Sequence, residues 1–129
     1  MESNSIKILI TGDFAPTLRV ADAIQKGDYE SLFGEVKPLI QEVDYSIINM
    51  EAPLIGSGTP IAKTGPNLKA SCKSVEALKY AGFDMVTLAN NHIMDYGSEG
   101  LFSTMEICRK NNIEDIGAGC NAEEAKQIK

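Results

Sequence analysis

Asn90, Asn91 and His92 follow one another directly after an apolar run, Phe83-Asp84-Met85-Val86-Thr87-Leu88, and His92 is the only histidine among 129 residues. An amide oxygen suits a hard cation, and an imidazole offers a nitrogen ligand or a proton near neutral pH. Two further runs end in the same manner. Ile6-Lys7-Ile8-Leu9-Ile10-Thr11 leads to Gly12-Asp13, and Tyr45-Ser46-Ile47-Ile48-Asn49 leads to Glu51 before Pro53. Parallel strands place their carboxyl ends on one edge of a sheet, so Asp13, Asn49, Glu51, Asn90, Asn91 and His92 can converge although they are distant along the chain. Such a set suits a divalent metal of the Mn, Fe, Mg or Zn type. The metal would polarise a phosphoryl or carbonyl oxygen and acidify a bound water, with His92 as proton donor or oxyanion contact. Each residue alone has a plainer reading: Asp13 a turn or cap, Glu51 a solvated loop carboxylate, His92 a structural ring, Asn90-Asn91 a left-handed turn. The coincidence of three polar strand ends is what singles out this edge.

Asp95 stands three residues after His92, in a turn Asp95-Tyr96-Gly97, and is placed to support the ring from behind. Lys63 and Lys69 flank Thr64-Gly65-Pro66-Asn67 in a long loop. Over the edge they would hold an anionic substrate; otherwise they are solvated lysines. Gly117-Ala118-Gly119 lacks the spacing of a dinucleotide fingerprint and reads as a tight strand-to-helix turn.

The elements that must position these groups alternate. Strands are expected over 6–11 (buried), 45–49, 83–88 and 113–116, from β-branched and apolar runs closed by Gly or polar residues. Helices are expected over 17–26, 29–33 and 38–43, with Gly27-Asp28 as a break and Pro38 suited to a first turn. Further helices are expected over 74–81, capped by Ser71 or Ser74 and stopped by Gly82, and over 98–110, with Arg109-Lys110 at the favourable end of the dipole. Asn121 caps a last helix with Glu123 and Glu124 in its first turn. Residues 52–71, rich in Gly and Pro, form a loop longer than is usual inside a compact domain, and such loops are functional or disordered. This order predicts an α/β layer with a mostly parallel sheet and flanking helices, without internal repeat or linker.

Composition narrows the partners. Twelve basic against eighteen acidic residues leave a formal charge of −6. A nucleic-acid surface needs a basic face, and so does adhesion to an anionic membrane. Cys72, Cys108 and Cys120 show no paired spacing and read as reduced thiols. Met1–Ser5 has no basic leader region, and Ile6–Ile10 is short and interrupted by Lys7, so no secretory signal is read. No apolar run approaches the roughly 18 residues of a membrane span. The chain as written is expected in the cytoplasm, with association to the cell envelope where a leader has been removed.

The motifs Gly12-Asp13, Asn49-Met50-Glu51-Ala52-Pro53-Leu54, Lys63-Thr64-Gly65-Pro66-Asn67, Gly82-Phe83-Asp84 and Ala89-Asn90-Asn91-His92-Ile93-Met94-Asp95-Tyr96-Gly97 occur in that order. Gly117-Ala118-Gly119-Cys120-Asn121 with Glu124-Ala125 completes the pattern. From about residue 6 onward the sequence resembles the bacterial capsule-synthesis, or poly-γ-glutamate biosynthesis, family of the CapA type. That family is in turn similar to the calcineurin-like metallophosphoesterases, which implies a layered α/β sandwich with a metal centre at the strand ends. By this resemblance Asp13, Glu51 and Asn91 match metal-holding positions, and His92 matches the histidine that contacts the phosphoryl group or leaving oxygen. Asn49, Asn90, Lys63 and Asp95 are then expected around an anionic polymer or phosphoester substrate.

Two departures qualify the resemblance. Ala15 stands where the first metallophosphoesterase motif has a histidine. The fold also takes roughly twice the length present here and draws further histidine ligands from its second half. Residues 1–129 are therefore read as the amino-terminal part of one such domain, with an incomplete metal site, and with an open sheet face inviting self-association. A non-catalytic scaffold for polymer or partner, and a generic small α/β binding module, are the alternatives.

Overall fold

The computed structural model describes residues 5–129. The leader reading of Met1–Ser5 therefore lies, up to Asn4, outside the described residues. Four strands, β1 (Ile8–Phe14), β2 (Tyr45–Met50), β3 (Met85–Thr87) and β4 (Glu114–Ile116), form one sheet in the order β1-β2-β3-β4. All three pairings are parallel. Between them run α1 (Leu18–Lys26), α2 (Glu30–Phe33), α3 (Lys37–Gln41), α4 (Ser74–Ala81) and α5 (Gly97–Lys110), and α6 (Ala122–Ala125) follows β4. The expected α/β layer with a parallel sheet is the architecture observed.

Strands laid down in sequential order, each joined by a right-handed crossover, put every connection on the same face of the sheet. The burial pattern agrees. On β2, Ser46, Ile48 and Met50 are buried while Tyr45, Ile47 and Asn49 are half-buried. The covered face continues through Val86 of β3 and Asp115 of β4, which stand in register with Ile48. Phe14, Phe33 and Phe83 meet there, with ring centroids 5.7 and 5.9 Å apart along the series, and join Ile24, Leu78, Leu88 and Met105 in the core.

Among the described residues no helix covers the opposite face. Ile8 pairs with Tyr45 and Ile10 with Ile47, yet Ile8 is 58% and Ile10 74% exposed, as is Ile6 at 79%. The expected buried first strand is thus corrected: β1 is an edge strand with its isoleucines in solvent. A continuous β-branched run signals a strand, and it does not say how many faces are covered. The strand also runs past Gly12 to Phe14, through a register shift between Ile10 and Asp13. Such an irregularity lets the strand continue across a glycine that would otherwise read as its end.

Several local signals hold. Gly27 and Gly82 end α1 and α4 in left-handed conformation, Pro38 opens α3, and Asn121 Oδ1 accepts the Glu124 N–H at 2.9 Å. The α4 cap differs from expectation. Its N-cap is Lys73, without a side-chain cap bond, and Ser71 Oγ instead accepts the Lys73 N–H in the preceding turn. All three cysteines are free thiols. No helix among the described residues is long and apolar enough to cross a membrane.

The segment 52–71 is irregular but anchored. Ala52–Ile55 is buried, and Leu54 forms a parallel bridge with Ala70. The Leu54 N–H donates to Thr104 Oγ1 at 2.8 Å, and Ser103 Oγ donates to Leu54 O at 2.7 Å. Both hydroxyls lie on α5, so the loop is clipped to the helix that follows the Asn-Asn-His turn. Gly100 makes this approach feasible: a Cβ there would meet Tyr96 Cβ at 2.9 Å and Pro53 Cβ at 3.3 Å.

Candidate functional site at the carboxyl edge of the sheet

Asp13 and Asn49 are register partners on β1 and β2, and Asn49 partners Thr87 on β3. Partners in adjacent parallel strands present side chains to the same face, so these three form a row at the carboxyl ends. Asn49 Nδ2 donates to Asp13 Oδ1 at 2.7 Å. Asn49 Oδ1 accepts from Thr87 Oγ1 at 2.9 Å and from Asn90 Nδ2 at 3.2 Å. Asn90 Oδ1 accepts the backbone N–H groups of His92 at 3.0 Å and Ile93 at 2.9 Å, and Asn90 Nδ2 also reaches Met50 O at 2.9 Å. A continuous hydrogen-bonded run therefore links Asp13, Asn49, Asn90 and His92 across three strand ends.

Asn90 is the organiser of the turn. Its amide binds both β2 and the first N–H groups beyond itself, which sets the path that carries His92 away from the strand. Neither Asn90 nor Asn91 adopts left-handed backbone; among the described residues the non-glycine positions that do are Leu18 and Asn112. The turn is thus held by side-chain hydrogen bonds. Asn91 is exposed and lines a crevice of about 560 Å³ whose opposite wall is Gly117–Gly119 and Asn121. Gly117, at φ 87°, lies so close to Ala89 that a Cβ would stand 2.8 Å from its side chain. The tight-turn reading of Gly117-Ala118-Gly119 agrees with this geometry.

His92 is held from behind as its spacing to Asp95 suggests. The ring nitrogen Nδ1 lies 2.6 Å from Asp95 Oδ2. A carboxylate only accepts, so Nδ1 carries the hydrogen and Nε2 is left as the free ring position. Asp95 is 1% exposed. Its other oxygen accepts from Lys63 Nζ, and Oδ2 also takes the Leu68 N–H at 2.6 Å. Burial works to raise the Asp95 pKa, and hydrogen bonds from Lys63, His92 and the Leu68 amide outweigh it, holding the carboxyl below the ordinary range. Lys63 therefore reaches this edge, but as the partner of Asp95, with Nζ 3.3 Å from His92 Nδ1.

Glu51 follows β2, its N–H donating to Phe14 O at 3.1 Å, which places it beside the end of β1. Glu51 as a residue is half-buried. The donor chemistry of Asp13, Glu51 and Asn91 is that of a hard cation, all oxygen. No group of three or more His, Cys, Asp or Glu among the described residues is close enough to hold a metal ion. The described residues thus do not by themselves close a metal cage. Thr87 and the Leu68 amide were not marked by sequence. Thr87 is detectable only through its register with Asn49, and a backbone N–H has no signature.

A sequentially wound parallel sheet whose carboxyl edge carries a carboxylate, amides and a carboxylate-backed imidazole defines an α/β protein with a candidate site at the strand ends. The chain belongs to the family described as bacterial capsule synthesis protein PGA_cap, which it matches over residues 7–129. It is 30% identical to a capsule biosynthesis protein CapA of Bacillus anthracis over 130 residues, 98% of this chain and 32% of the relative. It is 35% identical to a PGA biosynthesis protein CapA of Bacillus subtilis over 104 residues, 80% of this chain and 27% of the relative. The chain spans about a third of the length of these curated relatives.

Proposed function

We propose that the carboxyl edge is a metallophosphoesterase-like site serving capsule or poly-γ-glutamate biosynthesis, acting on a phosphoester or on an anionic glutamate polymer. The observation that carries this reading is the hydrogen-bonded run from Asp13 through Asn49 and Asn90 to His92, in a chain of the capsule-synthesis family. In this reading Asp13, Glu51 and Asn91 contribute oxygen ligands to a divalent metal, and groups outside this chain complete the set. The metal, when bound, would supply Lewis-acid activation of a phosphoryl or carbonyl oxygen. His92 holds or releases a proton at Nε2, its tautomer fixed by Asp95 at Nδ1. Asn49 and Asn90 form the floor on which substrate rests, and Lys63 brings positive charge towards an anionic group.

A thermal-shift titration with Mn²⁺, Mg²⁺ and Zn²⁺ tests the metal. One of these ions is expected to raise the melting temperature, and Asp13→Asn to abolish the rise; no shift with any ion, here or in a full-length relative, would overturn it. A second reading, a non-catalytic scaffold that handles polymer, is favoured by Ala15 at the position where the superfamily pattern has a histidine. It predicts that poly-γ-glutamate binding survives His92→Ala, whereas the catalytic reading predicts loss of phosphoesterase or polymer-processing turnover in that variant.

A further inference from the structure

Asp95 makes more contacts with the loop after β2 than its place beside His92 requires. Its side chain takes Lys63 Nζ and the Leu68 N–H, and its backbone carbonyl accepts the Ile61 N–H at 2.9 Å. Asn67 Nδ2 then donates to Ile61 O at 3.0 Å, closing the segment on itself. Residues 61–68 thus form a strap, otherwise largely exposed, that is fastened to the site through one buried residue.

A carboxylate at this depth requires a compensating charge. The Leu68 amide is neutral and His92 is charged only when protonated. Lys63 is the basic side chain bonded to the remaining oxygen. Because Nδ1 of His92 directs its hydrogen at Asp95, Lys63 cannot donate to that nitrogen, and its bond is to Asp95 Oδ1. With Oδ1 so occupied, Oδ2 is turned towards both His92 and Leu68.

We propose that Lys63 is a positioning residue: by holding Asp95 Oδ1 it aligns Oδ2 on the His92 ring and, through the same carboxylate, seats the 61–68 strap as a wall of the site. This rests on the reading of His92 as the working group of the edge. Amide hydrogen exchange and the signal of the lone imidazole, both followed by NMR, test it without metal or substrate. In Lys63→Met, which keeps the aliphatic stem and removes the charge, the Leu68 and Ile61 amides are expected to exchange about tenfold faster or more, and the imidazole signal to move. Amides of Ile48 and Val86 in the sheet are expected to keep their rates, and Lys63→Arg to restore the Leu68 and Ile61 amides and the imidazole.

Unchanged Leu68 exchange and an unmoved imidazole signal in Lys63→Met would overturn the proposal. Should Lys63→Met loosen the sheet as well, the arginine variant decides. Wild-type exchange at Leu68 in Lys63→Arg supports the latch, and exchange as fast as in the methionine variant refutes it. Failure of metal binding would end the functional reading and leave these exchange rates as they are, so the two are separable.

Discussion

Asp95 is the residue at which stability and site geometry meet. Three hydrogen bonds to one buried carboxylate, all charge-assisted while it is ionised, make Asp95→Asn costly, on the order of 1.5–3 kcal/mol at neutral pH. The acid dependence follows from the lowered carboxyl. The ordinary value is 3.8 and the folded one lies below it. Its contribution is therefore complete above the unfolded value and is lost as pH falls through the folded one. Urea midpoints of wild type and Asp95→Asn are expected to draw together as pH falls from about 5 down through the lowered carboxyl value. A gap that stays constant over that interval would place the acid sensitivity elsewhere. The pairing of Asp95 with His92 was legible, because a separation of three residues around a turn brings side chains together. The pairing with Lys63 was not, since the two lie 32 positions apart and the path of the loop depends on the bridge between Leu54 and Ala70.

At the scale of elements, α5 fixes the route of the loop that carries Lys63. Thr104 is fully buried and its hydroxyl serves twice, accepting from the Leu54 N–H and donating to Gly100 O at 2.7 Å. Thr104→Val keeps the shape and leaves that amide without a partner, with an expected loss of about 1–3 kcal/mol in chemical denaturation. The same variant is expected to raise the exchange rate of the Leu54 amide ahead of those in β2 and β3. A loss well under this range would mean that water or a shifted turn replaces the hydroxyl. Element types were readable because apolar periodicity, Pro38, Gly27, Gly82 and Asn121 each act locally. The end of β1 and the α4 cap were not, because a register shift and a preceding turn depend on neighbouring strands and loops. Gly12 looks the same in sequence whether it ends a strand or sits inside an irregular one.

For the whole molecule, the one-sided arrangement of helices leaves Ile6, Ile8 and Ile10 as an apolar strip beside Tyr45 and Ile47. Strips of this kind on an edge strand favour association between copies. Replacing Ile8 and Ile10 together by Thr is expected to lower concentration-dependent association in sedimentation velocity, with little change in unfolding midpoint because both side chains are already solvated. Equal association in the variant would exonerate this face. The convergence of Asp13, Asn49 and the Asn-Asn-His turn on one edge was legible because parallel strands impose it. The bare reverse of the sheet was legible only through family resemblance, since an isoleucine run reads alike whether one side or both are packed.

The sequential order of the sheet also bears on how the chain is made. Each strand docks on the one translated just before it, so within the sheet a nascent polypeptide meets a template already made, while the loop after β2 is completed only once Asp95 and α5 follow. Long-range closure, the slow part of assembling parallel sheets, is thereby divided into short successive steps. Growth advances from β1 towards β4, and the Asn-Asn-His turn reaches its place only after both strands that must receive it have already emerged.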